Sequence, residues 1–245
     1  VQNTEKFKKL QEDPTLKRER SLQNFLRALK KKKFIDDIVY DKIYPCGSQP
    51  ARIYGLPKTH KLKSPSDSLS FRPIVSSLNT YNYPLPKFLT NLLSPVINQN
   101  HCCKDSFTFC KEIKQVRTNN KFLVSFDVCS LFTNIPLEET IDIAVNEILK
   151  HKPYFKIFKN ELTKLFKVAT SQTHFMFDGE YYDQIDGISM GSPLGPVLAN
   201  LFMGYHESKW LSDYKKSEIV MYKRYVDDIF CIFNNENDAK NFLII

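Results

Sequence analysis

The sequence of 245 residues is 42% hydrophobic and carries a formal net charge of +8. A chain of this length can bury a sizeable core, and seven glycines and thirteen prolines are too few for a low-complexity segment. No apolar run approaches the roughly 18 residues that cross a bilayer. The composition therefore excludes a disordered tail and a membrane-spanning protein. Because the sequence starts without Met and stops inside an amphipathic pattern, we expect a fragment.

The positive charge is concentrated near the start of the sequence. Residues 1–63 contain 16 Lys and Arg against 7 Asp and Glu, whereas the remaining residues contain 19 against 20. Such a local excess is typical of a face that binds a polyanion. The alternative is a solvated helix, because residues 14–33 place Leu22, Leu26 and Leu29 on one apolar stripe and end in four lysines. For the lysine run alone, the helix interpretation is preferred.

The six cysteines show neither a CxxC pair nor zinc-finger spacing, which favours free thiols in a reducing compartment. A metal site formed by His101, Cys102, Cys103 and Cys110 is the weaker alternative, because adjacent cysteines rarely present both sulfurs to one ion.

Apolar spacing and end signals predict most of the helices. They cover residues 14–33, 84–96, 137–149, 159–170 and 193–210. The last of these is expected to begin with Ser192 as its N-cap and Pro193 in its first turn.

Strand signals appear at three places. Residues 121–126 form a short apolar run that ends at Asp127. Residues 174–184 contain an Asp-Gly pair between aromatic runs, which predicts a hairpin. Residues 219–233 predict a second hairpin with two acids at its tip.

Asp127, Asp227 and Asp228 form the candidate catalytic constellation. Sheet pairing could bring the strand-ending Asp127 to the tip of the second hairpin. Carboxylate oxygens are preferred ligands of Mg²⁺, and two ions roughly 3.5–4 Å apart can activate a hydroxyl and stabilise a leaving pyrophosphate. Each acid taken alone is usually an ordinary turn residue. The ordered blocks SFDVCSLFTNIP, GISMGSPLGPVLANLF and YKRYVDDIF together favour function.

These three blocks resemble motifs A, B and C of the palm of reverse transcriptases, and the resemblance covers nearly all of the chain from Tyr54 onward. IYGLPKTHK and FRPIVSS resemble the two fingers motifs that precede the palm. Both are most similar to those of Penelope-like retroelement enzymes, whose relatives include telomerase catalytic subunits.

The resemblance implies an α+β fold of the right-hand polymerase type. It has fingers and palm, with an antiparallel palm sheet packed on helices and the thumb missing. The implied regions are a basic helical N-terminal extension (residues 1–50), fingers (residues 51–120) and a palm truncated before its later motif (residues 121–245).

The activity implied by the resemblance is RNA-directed DNA polymerisation, in which dNTPs are added to a DNA or RNA primer on an RNA template. Two Mg²⁺ ions, with Mn²⁺ as a substitute, are expected at Asp127, Val128, Asp227 and Asp228. We expect an intracellular, nuclear protein without a membrane partner, and a fragment that is inactive alone. Its oligomeric state stays open.

The resemblance also implies contacts with the incoming nucleotide. Lys58 and Arg72 are expected to bind its triphosphate, since cationic side chains offset the charge that the metals leave. Phe132, five positions after Asp127, is expected to exclude a ribose 2′-hydroxyl; the alternative is a core phenylalanine. Further nucleotide and template contacts are expected at Met190, Gly191, Ser192, Pro193 and Tyr225.

Two other functions compete with this interpretation. An RNA-templated RNA polymerase also uses an acid-rich turn and two metals, but Phe132 and the fingers motifs argue against it. A non-catalytic RNA-binding scaffold derived from a retroelement is the second alternative. The presence of all three aspartates argues against the scaffold.

Overall fold

The computed structural model describes residues 7–59, 69–171, 173–185, 187–213 and 219–242. The strands within these ranges are β1 (Phe7–Leu10), β2 (Ala51–Pro57), β3 (Phe71–Ser76), β4 (Phe122–Asp127), β5 (His174–Phe177), β6 (Glu180–Gln184), β7 (Ile219–Tyr225) and β8 (Asp228–Phe233). The helices are α1 (Thr15–Lys31), α2 (Asp37–Ile43), α3 (Pro84–Leu93), α4 (Ser106–Ile113), α5 (Leu131–Asn134), α6 (Leu137–His151), α7 (Lys159–Ser171), α8 (Gly195–Asp213) and α9 (Glu236–Phe242). A short 3₁₀ turn, Ser94–Val96, follows α3.

The larger sheet has five strands in the order β1-β6-β5-β2-β3. Its β2–β5 pair is parallel, and the other pairs are antiparallel. The sheet joins the two fingers motifs, on β2 and β3, to the β5–β6 hairpin about a hundred residues later. It therefore spans the predicted region boundaries at residues 50 and 120.

The smaller sheet is antiparallel throughout and has the order β4-β8-β7. Strand β4 carries the start of motif A, β7 carries the start of motif C, and the central β8 carries the end of motif C. The predicted α+β fold with an antiparallel palm sheet is confirmed.

The main hydrophobic core is built largely by helices. Five helices each contribute a fully buried apolar side chain to it: Leu26 of α1, Leu85 of α3, Val145 of α6, Phe166 of α7 and Leu198 of α8. A smaller core under the three-stranded sheet contains Tyr222, Cys231 and Phe233.

Helix α6 shows why these segments are helical. Ile141, Ala144, Val145 and Ile148 repeat at helical spacing and are buried. Acids occupy its first turn, whereas Lys150 and His151 occupy its last, in accord with the helix dipole.

The predicted helices are confirmed, with one correction at α8. That helix begins at Gly195 instead of Pro193, because Ser192 and Pro193 belong to a preceding turn in which the Gly195 N–H donates to the Ser192 carbonyl at 3.1 Å. The Ser192 hydroxyl accepts from the Leu194 N–H at 3.4 Å, so it caps this turn. Both predicted hairpins and the strand ending at Asp127 are also confirmed.

The six cysteines are free thiols, as predicted. In the described ranges, no three His, Cys, Asp or Glu side chains are grouped to hold a metal, so the alternative metal site at His101 and its neighbouring cysteines finds no support. None of the helices in this part of the chain is long and apolar enough to cross a membrane.

Candidate active site

Asp127 and Asp228 face each other across the β4–β8 pair. Asp127 is the last residue of β4, Asp228 is the first of β8, and their Cα atoms are register partners. Directly opposed residues on antiparallel strands have Cβ atoms about 4.5–5.5 Å apart and point to the same face. The fold therefore joins motif A to motif C at the acidic positions themselves.

Asp227 lies in the two-residue turn between β7 and β8. The preceding Val226 has φ +57°, a conformation that a β-branched residue rarely adopts. The Asp227 carbonyl accepts from the Val128 N–H at 2.9 Å, which ties the turn to the residue that follows Asp127 in motif A. The turn thus combines a strained backbone with a specific anchor.

The three carboxylates are each at least partly open to solvent. Asp127 and Asp228 are exposed and Asp227 is half-buried. Within the described residues, their side chains do not form a group of three that could hold a metal ion. The donor set nonetheless suits a hard divalent cation, because it offers carboxylate oxygens on adjoining strand ends.

A groove of about 390 Å³ lies beside Asp228 on the same face of the sheet. Tyr225, the register partner of Asp228, lines it and is 58% exposed. Helix α4 closes the other side, where Phe109 meets the Phe230 ring edge-on and Glu112 pairs with Lys223 at 2.8 Å. Asp228 therefore borders an accessible, partly aromatic groove.

Lys58 and Arg72 lie on the same face of the β2–β3 ribbon. Arg72 is paired with Leu56, and the Lys58 N–H continues the ladder by donating to the Ser70 carbonyl at 2.9 Å. Because side chains alternate along a strand, Lys58 shares a face with Leu56 and hence with Arg72. Arg72 is exposed and Lys58 is half-buried. Their contact with a triphosphate stays a prediction.

The motif B loop is bound to the end of β3. The Val75 N–H donates to the Met190 carbonyl at 2.8 Å, and the Ser77 hydroxyl donates to the Gly191 carbonyl at 3.0 Å. Gly191 has φ +127°, and a Cβ there would lie 2.1 Å from the Val75 carbonyl oxygen. The glycine therefore permits close approach to β3. Pro193 is held from the other side, where its carbonyl accepts from the Thr90 hydroxyl at 3.2 Å.

Phe132 lies in the short helix α5 and is half-buried against the main core. Its carbonyl accepts from the Ile188 N–H at 2.8 Å, so the segment that leads into motif B runs alongside it. A Cβ at Gly187 would come within 2.7 Å of Thr133 Cα, which shows how closely the two segments approach. Both interpretations of Phe132, as a sugar-excluding ring and as a core residue, remain open.

Sequence reasoning missed Arg224 and Glu207, which form a buried ion pair beneath the turn with Nε–Oε1 at 2.5 Å. The available signal was Arg224 itself, a charged residue at an inward-facing position of the strand YKRY.

Part of the predicted basic face lies on α1, whereas Lys6, Lys61 and Lys63 lie outside the described residues. The outer side of α1 exposes Lys17, Arg20 and Lys31, whereas Lys30 pairs with Asp37 at 2.8 Å. Lys32 pairs with an acid of α7 at 3.5 Å. The lysine run is thus partly neutralised within the chain.

The sequence profile of the family described as reverse transcriptase (RNA-dependent DNA polymerase) matches residues 57–245. The chain belongs to this reverse transcriptase family. No curated protein matches it.

Solved structures with a similar fold include telomerases and a viral polymerase. The telomerase of Candida albicans, in complex with the TWJ fragment of telomeric RNA, aligns with a TM-score of 0.59 and 12% identity over 91% of this chain and 44% of that one. The telomerase of Candida tropicalis truncated from its C-terminal domain gives 0.54 and 14% over 80% and 47%. The RNA-dependent RNA polymerase of BmCPV at its elongation state gives 0.51 and 16% over 97% and 22%.

Because the sequence identities are so low, these structural similarities show the fold alone. The predicted polymerase fingers and palm fold is confirmed. The chain spans less than half of the length of each of these three structures.

Proposed function

We propose that this chain is the core of an RNA-directed DNA polymerase that adds dNTPs to a DNA or RNA primer on an RNA template. The observation that carries the proposal is the register pairing of Asp127 with Asp228, beside the Asp227 turn, in a chain of the reverse transcriptase family. A scaffold that only bound RNA would need no such pairing of exposed acids at a strained turn.

Two divalent ions are the proposed cofactors, Mg²⁺ in the first place with Mn²⁺ as a substitute. Asp127, Asp227, Asp228 and the backbone of Val128 would hold them. When bound, such ions lower the barrier by polarising the attacking hydroxyl and stabilising the leaving pyrophosphate. The carboxylates contribute by binding and by fixing position, which the paired strands provide.

The remaining residues bind and orient the substrates in this proposal. Lys58 and Arg72 offset the charge of the triphosphate from one face of the fingers ribbon. Phe132 limits the sugar to deoxyribose by exclusion, and the loop from Met190 to Pro193 supports the nucleotide and template. Tyr225 lines the groove where the primer end would approach Asp228. The exposed cations of α1 favour the phosphate backbone of the template.

A Penelope-like retroelement is the proposed origin, supported by IYGLPKTHK and FRPIVSS. A nuclear location follows from that origin as part of the proposal.

An RNA-directed RNA polymerase is the second candidate, because the BmCPV enzyme shares the fold. The two are separated by extending one primer on matched RNA and DNA templates, with either dNTPs or rNTPs, in the full-length protein. We expect Mg²⁺-dependent extension on the RNA template with dNTPs. Extension with rNTPs alone would favour the second candidate, and template binding without extension would favour the scaffold.

A further inference from the structure

Arg224 is a fully buried charged residue three positions before Asp227. Its side chain is 0% exposed, and the carboxylate of Glu207 on α8, 1% exposed, lies against it. The pair is bidentate, with Nε–Oε1 at 2.5 Å and Nη2–Oε2 at 3.2 Å. Buried charges persist only where they are paired and hydrogen-bonded, so this arrangement requires a full set of partners.

The other donors of the guanidinium are also used. Nη1 donates to Asn200 Oδ1 at 3.0 Å and to the Val226 carbonyl at 2.9 Å, and Nη2 donates to Cys102 Sγ at 3.2 Å. A guanidinium has five N–H groups, and each has an acceptor. The network therefore spans α8, the segment before α4, and the turn itself.

Tyr222 completes the network from the neighbouring inward position of β7. Its hydroxyl donates to Glu207 Oε1 at 2.8 Å. Burial, together with the adjacent carboxylate, raises the pKa of this phenol, so it stays protonated and remains a donor. Glu207 is thus held by two strand residues at once.

The bond to the Val226 carbonyl connects this platform to the catalytic turn. Val226 has φ +57°, a left-handed conformation that is strained for a residue with a Cβ. Such conformations persist where the surroundings hold them in place. We propose that Arg224 is a positioning residue of the polymerase site, which holds the Val226–Asp227 turn in the conformation that presents the two aspartates, from a platform formed by Glu207 and Asn200. This inference rests on the proposed function.

The platform also links the turn to the nucleotide side of the site. Asn200 and Glu207 lie on α8, and the motif B loop leads directly into that helix. Lysine at position 224 would keep the charge beside Glu207, but its three donors on one nitrogen cannot reach Glu207 and the Val226 carbonyl in the same fork.

The test is Arg224→Lys in the full-length protein, measured by single-turnover addition of one nucleotide at varied Mg²⁺. We expect the maximal rate per folded molecule to fall on the order of tenfold or more, because small displacements of reacting groups are costly. The Mg²⁺ concentration for half-maximal rate should rise. Affinity for the primer-template and the circular dichroism spectrum should stay at the parental values.

Arg18→Lys is the matched control. Arg18 also forms a bidentate pair, at 2.6 Å through both terminal nitrogens, but it joins α1 to Asp183 on strand β6 of the five-stranded sheet. The Arg18→Lys protein should lose stability without a change in rate per folded molecule or in Mg²⁺ requirement. An unchanged rate and Mg²⁺ requirement in Arg224→Lys would overturn the inference, as would equal changes in both variants.

Asn200→Ala decides the matter if Arg224→Lys does not fold. It removes one acceptor of Nη1 and leaves the ion pair intact, so a smaller fall in rate with a raised Mg²⁺ requirement is expected. Parental kinetics in that variant would overturn the inference. Failure of the proposed function would give a different result. In that case the parent protein itself would show no primer extension that depends on Asp227.

Discussion

At the scale of single residues, Gly191 connects two motifs that are over a hundred residues apart. Its φ of +127° lies outside the range of residues with a Cβ, and the space where a Cβ would stand is filled by the Val75 carbonyl. The fingers strand β3 and the motif B loop can therefore meet only through a glycine.

Gly191→Ala should lower the free energy of unfolding by at least about 3 kcal/mol, because backbone strain and a steric clash act together. Denaturant unfolding measures the loss. Gly47→Ala is the control: Gly47 has φ +64° but nothing within 4 Å of the added Cβ, so only about 1–2 kcal/mol should be lost. Equal losses in the two variants would mean that contact with Val75 contributes nothing.

Phe132 raises a question of function at the same scale. In the full-length enzyme, Phe132→Ala should permit ribonucleotide addition, with discrimination reduced on the order of tenfold or more, and leave deoxynucleotide use largely intact. Removing the ring removes a clash and not an attraction. Single-nucleotide extension with each sugar measures this. Phe88→Ala, which trims another half-buried ring of the same core, should discriminate like the parent; parental discrimination in Phe132→Ala would make Phe132 a core residue.

At the scale of elements, long segments whose apolar residues recur at helical spacing were predictable. Short segments without a clear apolar pattern were not. The predicted helices and hairpins carry their own periodicity and turn signals. Helices α2 and α4 are only seven and eight residues long, and β1 exists because β6 pairs with it. No local pattern in FKKL specifies that partner. The predicted start of α8 was wrong because it, too, depends on distant contacts. Ser192-Pro193 suits a helix start, but contacts with α3 and β3 hold this segment in a turn.

The junction between α1 and β5 depends on His174. The Arg18 guanidinium donates to Nδ1 at 3.3 Å, so the ring is neutral and its Nε2–H faces the Thr15 hydroxyl at 2.8 Å. That hydroxyl in turn donates to Asp13 Oδ1 at 2.5 Å. Burial is the larger cause and the nearby Arg18 charge the smaller one; together they lower the pKa of His174 from its ordinary 6.5 to about 4.

The free energy of unfolding should therefore decrease as the pH is lowered through a defined window. Between about pH 6.5 and pH 4 the unfolded chain binds a proton at this histidine and the folded chain does not, so up to about 3 kcal/mol is lost as the pH decreases. His174→Gln should flatten this part of the stability profile, measured by denaturant unfolding at each pH. His151→Gln, at the exposed end of α6, should keep the parental slope. A parental slope in His174→Gln would contradict the assignment.

At the scale of the whole molecule, the order of the motifs along the chain was readable but their assembly was not. The blocks around Asp127 and Asp227-Asp228 predicted a shared acidic site, and the β4–β8 register supplies the backbone arrangement for it. The buried platform of Arg224 and Glu207 was not predictable, because it depends on how α8 lies against β7. Nor does the fold distinguish DNA from RNA synthesis, since telomerases and an RNA-dependent RNA polymerase share it. Primer extension with dNTPs or with rNTPs must make that distinction.

The most direct test of the central claim is primer extension by Asp227→Asn in the full-length protein, with template binding measured in parallel. Asparagine keeps the shape of the side chain but removes the charge that would hold a divalent ion. We predict that extension is abolished while the circular dichroism spectrum is unchanged. Template affinity should stay parental, with the same steep dependence on salt. Near-parental extension by a normally folded Asp227→Asn protein would contradict the proposed mechanism and favour the nucleic-acid-binding scaffold.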